Sequence, residues 1–322
     1  DWDGNIVWRY DDPALHSHDF FRMRNGNSLV TKFISVPDSI ARKVEGGYPG
    51  AEIKGGIMYG DAIQEINPDG KVVWEWRAFD HMDPFRIGYE TFSRYWIRRG
   101  FPDTVDWSHA NNLLYDERDD SIVVNFRYQA AAMKIDRKTK EIKWILGEPS
   151  GWGDLSDKVL QGEGEIKWPY HQHSPHPTPN GTLLIYDNGN YQARPFTPPK
   201  PINETFSRAV EYEIDEEQMK VREIWASEEM GPERVVSIAM GDVDWLPKSE
   251  NVLVAYGALL DPEFLGQMRW ESQSRQQFSQ WTRLREYKRT NPAEVVWEMV
   301  IKDEAPMGWT LFGAERLPGV GP

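Results

Sequence analysis

The sequence predicts an all-β protein, specifically a β-propeller of four-stranded antiparallel blades, with residues 1–322 forming a single domain. Two recurring pieces carry this prediction. The first is a turn followed by a strand ending in tryptophan, and in the last four of five cases an earlier strand makes it a hairpin: Gly4-Asn5-Ile6-Val7-Trp8, Gly70-Lys71-Val72-Val73-Trp74, Glu141-Ile142-Lys143-Trp144, Val221-Arg222-Glu223-Ile224-Trp225 and Ala293-Glu294-Val295-Val296-Trp297. The second is a short strand, a polar turn and another strand, as in Phe21 to Val30, Leu113 to Val124, Pro177 to Ile185 and Asp244 to Val254. The two alternate along the chain. Joined, they give four antiparallel strands per repeat, and four-stranded units in radial repetition are propeller blades.

Four blades are complete in the sequence, at roughly 14–77, 109–146, 171–226 and 237–299. The strand at Trp8 and the stretch Thr310–Arg316 are left over. Pairing them would close the ring as a fifth blade, and a sixth would need sequence beyond both ends. Insertions fall at about 81–106 and 258–280, with a short helix expected near 87–98. The hairpin turns are Asp-Gly, Arg-Lys-Thr-Lys, Asp-Glu-Glu and Asn-Pro, residue types that reverse a chain without strain.

Composition narrows the function classes. The net charge of -14 argues against a nucleic-acid partner, which needs a basic surface. An anionic substrate would need locally placed Arg or His. The absence of cysteine excludes disulfides, thiolate metal sites and Cys nucleophiles. No run of apolar residues is long enough to span a membrane as a helix. The chain opens in mid-repeat at Asp1-Trp2-Asp3-Gly4, which reads as a trimmed product of an exported protein, periplasmic or secreted. Nothing in the sequence indicates an oligomeric state.

The histidines fall on the repeat. His18, His109 and His173 each lie seven residues before the turn residue of their second piece (Asn25, Asp116 and Asn180); the fourth equivalent is Gly241. This position starts the innermost strand of a blade, so the three imidazoles are expected to converge at one mouth of the channel. The alternative for each is aromatic-like packing or a water-bound lining role. Asn111, Arg127, Asn188, His171 and His176 are expected around them as substrate-binding groups, with Arg194 completing the catalytic set. His16 shares the strand face of His18. Arg forks onto oxyanions, although its commoner fate is a salt bridge. Histidine with Arg and without nearby carboxylates favours transfer of a sulfuryl or phosphoryl group. With His18, His109 and His173 as ligands, Zn or Cu is the alternative, and the reaction would then be metal-assisted hydrolysis or elimination. Arg194 would repel such a cation, and no cofactor is the first expectation. A non-catalytic ligand-binding propeller is a third reading.

The stretch Asp106-Trp107-Ser108-His109-Ala110-Asn111, continuing through Asn125-Phe126-Arg127-Tyr128-Gln129 to Ile142-Lys143-Trp144-Ile145-Leu146-Gly147, resembles bacterial arylsulfotransferases. So do Gln172-His173, Asp187-Asn188-Gly189 with Arg194, and Gly308 to Pro318. The resemblance covers most of the chain and is strongest over 106–194. It implies an exported propeller, six-bladed in a known case, that moves a sulfuryl group from an aryl sulfate to a phenol through a sulfated histidine without a nucleotide cofactor. It also implies supporting roles for His109, His173 and Arg194. One departure stands out. The family's sulfated histidine lies in a later blade, whereas this chain has no histidine after His176 and places Gly241 at the fourth ring position. Either His18 or a neighbour takes over, or the scaffold runs different chemistry.

Overall fold

The computed structural model describes residues 1, 3–12, 16–41, 44, 57–90, 104–193, 197–227, 230–261, 280–302 and 308–317. The chain divides into two compact units, Asp1–Gln129 with Lys134–Ile142, and Ala130–Met133 with Lys143–Pro322.

The expected hairpins are present and form antiparallel sheets at the expected places. The first sheet takes the order β1 (His16–Arg22), β2 (Ser28–Ser35), β3 (Ile57–Ile66), β4 (Val72–Arg77). A short strand, β5 (Thr104–Asp106), pairs parallel with β3 and sets Asp106 opposite Tyr59. The second sheet runs β6 (Ala110–Asp116), β7 (Ser121–Phe126), β8 (Ala131–Asp136), β9 (Ile142–Gly147), and the division between the units passes through it. After the two-residue strand β10 (Gln161–Gly162), the third sheet holds β11 (His173–Pro177), β12 (Leu183–Asp187), β13 (Arg208–Asp215) and β14 (Lys220–Ala226), with β10 parallel to β14. The fourth is β15 (Asp242–Leu246), β16 (Asn251–Leu260), β17 (Gln280–Lys288), β18 (Glu294–Ile301).

Position in the sheet explains the burial. β7 is buried at every residue, as its unbroken Ile122-Val123-Val124 run suggests for a strand covered on both faces. In the second unit, Leu184, Tyr186, Val243, Val252, Val254 and Tyr256 form one core. Each such aliphatic side chain stabilises the fold by about 1.5–3 kcal/mol.

The recurrent tryptophans serve a purpose beyond core filling. Four of the five donate the indole N–H to the turn of another hairpin within their own unit. Trp8 bonds to the Pro68 carbonyl at 3.1 Å and Trp74 to that of Arg137 at 2.8 Å. Trp144 bonds to Glu216 Oε1 at 3.0 Å, and Trp225 to the Thr290 carbonyl at 3.2 Å.

Several expectations change. Neither end segment is a strand, so the fifth, ring-closing sheet is not formed by 4–8 and 310–316. A strand needs a neighbour for its backbone groups. Gly4 and Asn5 instead bond locally, through Gly4 N to Asp1 O and Asn5 N to the Asp1 carboxylate, and Ile6 and Val7 remain exposed. At the other end, isolated bonds such as Trp309 N to Gln280 O replace a ladder. Of the helix expected near 87–98, residues 87–90 are not helical and 91–98 lie outside the described residues; a one-turn helix occurs earlier, at Ala78–His81. In the second insertion, β16 extends to Leu260 and β17 begins at Gln280, while 262–279 lie outside the described residues. No helix among the described residues is long and apolar enough to cross a membrane.

Candidate functional site

In the first unit, β1 and the entry to β6 bring His18 and His109 together, with ring centroids 4.5 Å apart. His109 is 6% exposed and also stacks on Tyr128 at 4.4 Å. Its Nδ1 lies 2.6 Å from Asp106 Oδ2. A carboxylate only accepts, so this nitrogen carries the proton and the lone pair falls to Nε2. Ser17 fixes His18 in the same sense. Its single hydroxyl proton goes to the Ala110 carbonyl at 2.9 Å, so Ser17 Oγ, 2.9 Å from His18 Nδ1, must accept there.

Behind these rings lies a second buried carboxylate. Asp61, on β3, accepts from Ser108 Oγ at 2.6 Å and from Ala110 N at 2.9 Å. It thereby grips both chain neighbours of His109, whose φ of +54° is left-handed, a conformation that costs of order 1 kcal/mol for a non-glycine residue. Burial, reinforced by the negative charge of Asp106, pushes the Asp61 carboxyl up to about 7.

In the second unit, His173 opens β11 and its Nδ1 sits 2.6 Å from Asn188 Oδ1. The Asn188 amide nitrogen donates to the Met240 carbonyl at 2.9 Å and the Ser237 carbonyl at 3.2 Å, which fixes the oxygen toward His173 and the proton on Nδ1. Phe312 stands edge-on to His173 at 6.4 Å, with 41% of its surface exposed. Its carbonyl accepts from Gly241 N at 3.2 Å. Nearby, Ser174 donates to Asp242, whose carboxyl is pushed up to about 6 by burial and then by Asp244.

The remaining sequence-predicted residues are placed as follows. Asn111 is buried and accepts from Asn125 at 2.6 Å. Arg127 is buried in an ion pair with Glu90 and lies over the Tyr128 ring, so its charge is met by protein. His171 is buried edge-on to Tyr191 at 5.0 Å. His176 Nδ1 is 3.3 Å from Asp244. Arg194 lies outside the described residues. Gly241 has φ +115°, and a Cβ there would fall 2.1 Å from the Tyr186 ring, so the position is shaped for no side chain. Among the described residues, no group of three or more His, Cys, Asp or Glu could hold a metal ion.

Backbone geometry also revises the alignment of the repeats. His109, His171 and Met240 share φ of +54°, +56° and +63°. The carbonyl before each accepts an equivalent bond: Tyr128 N to Ser108 O, Gly189 N to Tyr170 O, Ala258 N to Ala239 O. His109 therefore corresponds to His171, and His173 lies two residues further on, where the second sheet has Asn111. Counting back from the turns missed this offset. Sequence reasoning also missed Asp61, Asp106, Ser17 and Phe312. Asp106 stood three residues before His109 in a stretch already singled out; Asp61 has no local signal.

This is an all-β protein of four- and five-stranded sheets that position His18, His109 and His173, each of these three held through Nδ1. The sequence profile of the arylsulfotransferase (ASST) family matches residues 1–307, and the chain belongs to that family. It is 34% identical over 216 residues to the arylsulfate sulfotransferase AssT of Escherichia coli O6:H1, covering 54% of this chain and 35% of that protein. To AssT of Lelliottia amnigena it is 33% identical over 207 residues, 51% of this chain and 34% of that one. The matched region thus spans about a third of the length of these relatives. Among solved structures, Kuenenia stuttgartiensis hydrazine synthase is similar at 11% identity and a TM-score of 0.40, over 93% of this chain and 69% of that one, a likeness too remote to bear on fold or function.

Proposed function

We propose that the protein transfers a sulfuryl group from an aryl sulfate to a phenolic acceptor, with His18, His109 and His173 as the reacting groups. Arg194 and Asn111 would hold the sulfuryl oxygens, with Arg127, His171 and His176 in the surrounding shell and Asn188 steadying His173. The four sheets as propeller blades and an exported location belong to the same proposal. The observation that carries it is that all three imidazoles are held through Nδ1, by Ser17, Asp106 and Asn188. Each therefore carries its imidazole lone pair on Nε2 when neutral, the atom this reading assigns as nucleophile or base.

In the first unit the chemistry can be written with two adjacent rings. His18 Nε2 attacks sulfur, forming an N–S bond as the S–O bond to the donor aryl group breaks. The departing phenolate takes a proton from the His109 imidazolium. His109 then takes the proton of the acceptor phenol as that oxygen attacks sulfur and the N–S bond breaks. Sulfate moves from one aryl oxygen to another and both imidazoles return to their starting state. Asp106 stabilises the imidazolium that His109 is before donor cleavage and becomes again after acceptor attack. In the second unit, exposed Phe312 beside His173 offers an aromatic edge for an aryl ring.

The test is turnover of 4-nitrophenyl sulfate with and without an added phenol. Acceptor-dependent release of nitrophenol and formation of the new aryl sulfate are expected. Full turnover by His18→Ala and His109→Ala would overturn the assignment.

A further inference from the structure

The buried carboxylates around His109 have a task of their own. Asp106 arrives on β5, a three-residue strand whose pairing with β3 sets it opposite Tyr59, two residues from Asp61. Both carboxylates are almost fully buried, Asp61 at 0% and Asp106 at 1% exposed. Such groups are costly to bury and persist where they are bonded. Their bonds converge on one residue from two sides: Asp61 holds Ser108 and the Ala110 amide, while Asp106 holds the imidazole. The neighbouring chain is fixed as well, because Gln129 Nε2 donates to the Trp107 carbonyl at 2.9 Å and Trp107 Nε1 to the Arg86 carbonyl at 2.8 Å.

We propose that Asp106 and Asp61 are positioning residues for His109: Asp106 holds the ring in its Nδ1–H tautomer, and Asp61 holds the backbone that aims it. The importance of this for turnover rests on the sulfuryl-transfer reading; the tautomer itself does not. A carboxylate at Nδ1 leaves one tautomer available, with its lone pair on Nε2. An asparagine at 106 can turn its amide to donate as well as accept, which removes that constraint without removing volume.

The experiment is ¹⁵N-histidine NMR on the full chain, with His109→Ala to assign the signals, beside steady-state kinetics with 4-nitrophenyl sulfate and a phenol. In the wild type, His109 is expected to show a protonated Nδ1 and an unprotonated Nε2 at pH above its titration. In Asp106→Asn, that signature is expected to become a tautomer mixture, and kcat to fall about 100-fold with KM changed less than about 3-fold. Asp61→Asn is expected to keep the tautomer and lower kcat by about 10-fold, because only the aim of the ring is relaxed. An Asp106→Asn protein that retains the wild-type signature and kcat overturns the proposal, as does a wild type with the proton on Nε2. If the wild type shows the tautomer but turns over no aryl sulfate, the functional reading fails and the positioning stands.

Discussion

His109 and His173 are gripped by the same ring nitrogen and by different chemistry. Asp106 brings a charge to the first, while Asn188 brings a neutral amide to the second. A carboxylate fixes the tautomer and also stabilises the imidazolium, which suits a group that gains and loses a proton. An amide fixes the tautomer alone, which suits a group that stays neutral. The supports differ in the same way. Asp61 beside His109 is pushed up to about 7 by burial and the charge of Asp106. Beside His173, Asp187 reaches about 6, because burial is partly offset by Arg208 and by the Tyr170 and Gly189 amides. One sequence has thus built two orienting devices, one charged and one neutral, and the residue holding the imidazole determines which chemistry each can support.

That contrast can be broken or sharpened by substitution. The largest effect is expected for His109→Ala, with sulfuryl turnover falling by about 10²–10⁴-fold in the nitrophenyl sulfate assay. Next comes the pH dependence of stability. The Asp61 carboxyl titrates near 7 in the fold and near its ordinary value of 3.8 when unfolded. The folded state therefore binds the extra proton, and its stabilising contribution is full below about 4 and lost as pH rises to about 7. Asp61→Asn should flatten urea-unfolding stability across that window, by up to about 4 kcal/mol. Asn188→Ala is expected to cost about 1–3 kcal/mol in the same measurement, because it strips the His173 ring, the Met240 carbonyl and the Ser237 carbonyl of a buried partner. Smallest is Phe312→Ala, which should raise KM for aryl donors by a few-fold, about 0.5–1.5 kcal/mol, and leave Tm unchanged because the ring is 41% exposed.

The sheets were legible because their signals are local. Trp74, Trp144, Trp225 and Trp297 mark outer strands directly, and Asp69-Gly70 or Asn180-Gly181 reverse the chain wherever they occur. Registers at the histidines were less legible. β1, β6 and β11 each carry a bulge at or near a histidine, between His16 and Phe20, Ala110 and Asn112, and His173 and His176. A bulge absorbs residues that a count back from the turn assigns to regular pairing. The partners of His109 divide by separation. Asp106 is three residues away, whereas Asp61 meets Ser108 across 47 residues through a parallel pairing with a three-residue strand, which no periodicity announces. The charge of Arg127 is visible in the sequence, whereas its partner Glu90, 37 residues away, is not.

The last two of the recurrent hairpin tryptophans, Trp225 and Trp297, carry a consequence for how the second unit comes apart. Trp225 is 6% exposed and clasps the Thr290 carbonyl, so β14 cannot peel away without also loosening the β17–β18 reversal. Trp297, the matching residue on β18, shows 41% of its surface to water, as do Val296 and Met299 to similar degrees. Amide protons of β18 should accordingly exchange with solvent far sooner than those of β14, making the outermost ribbon of the fourth sheet the first to fray.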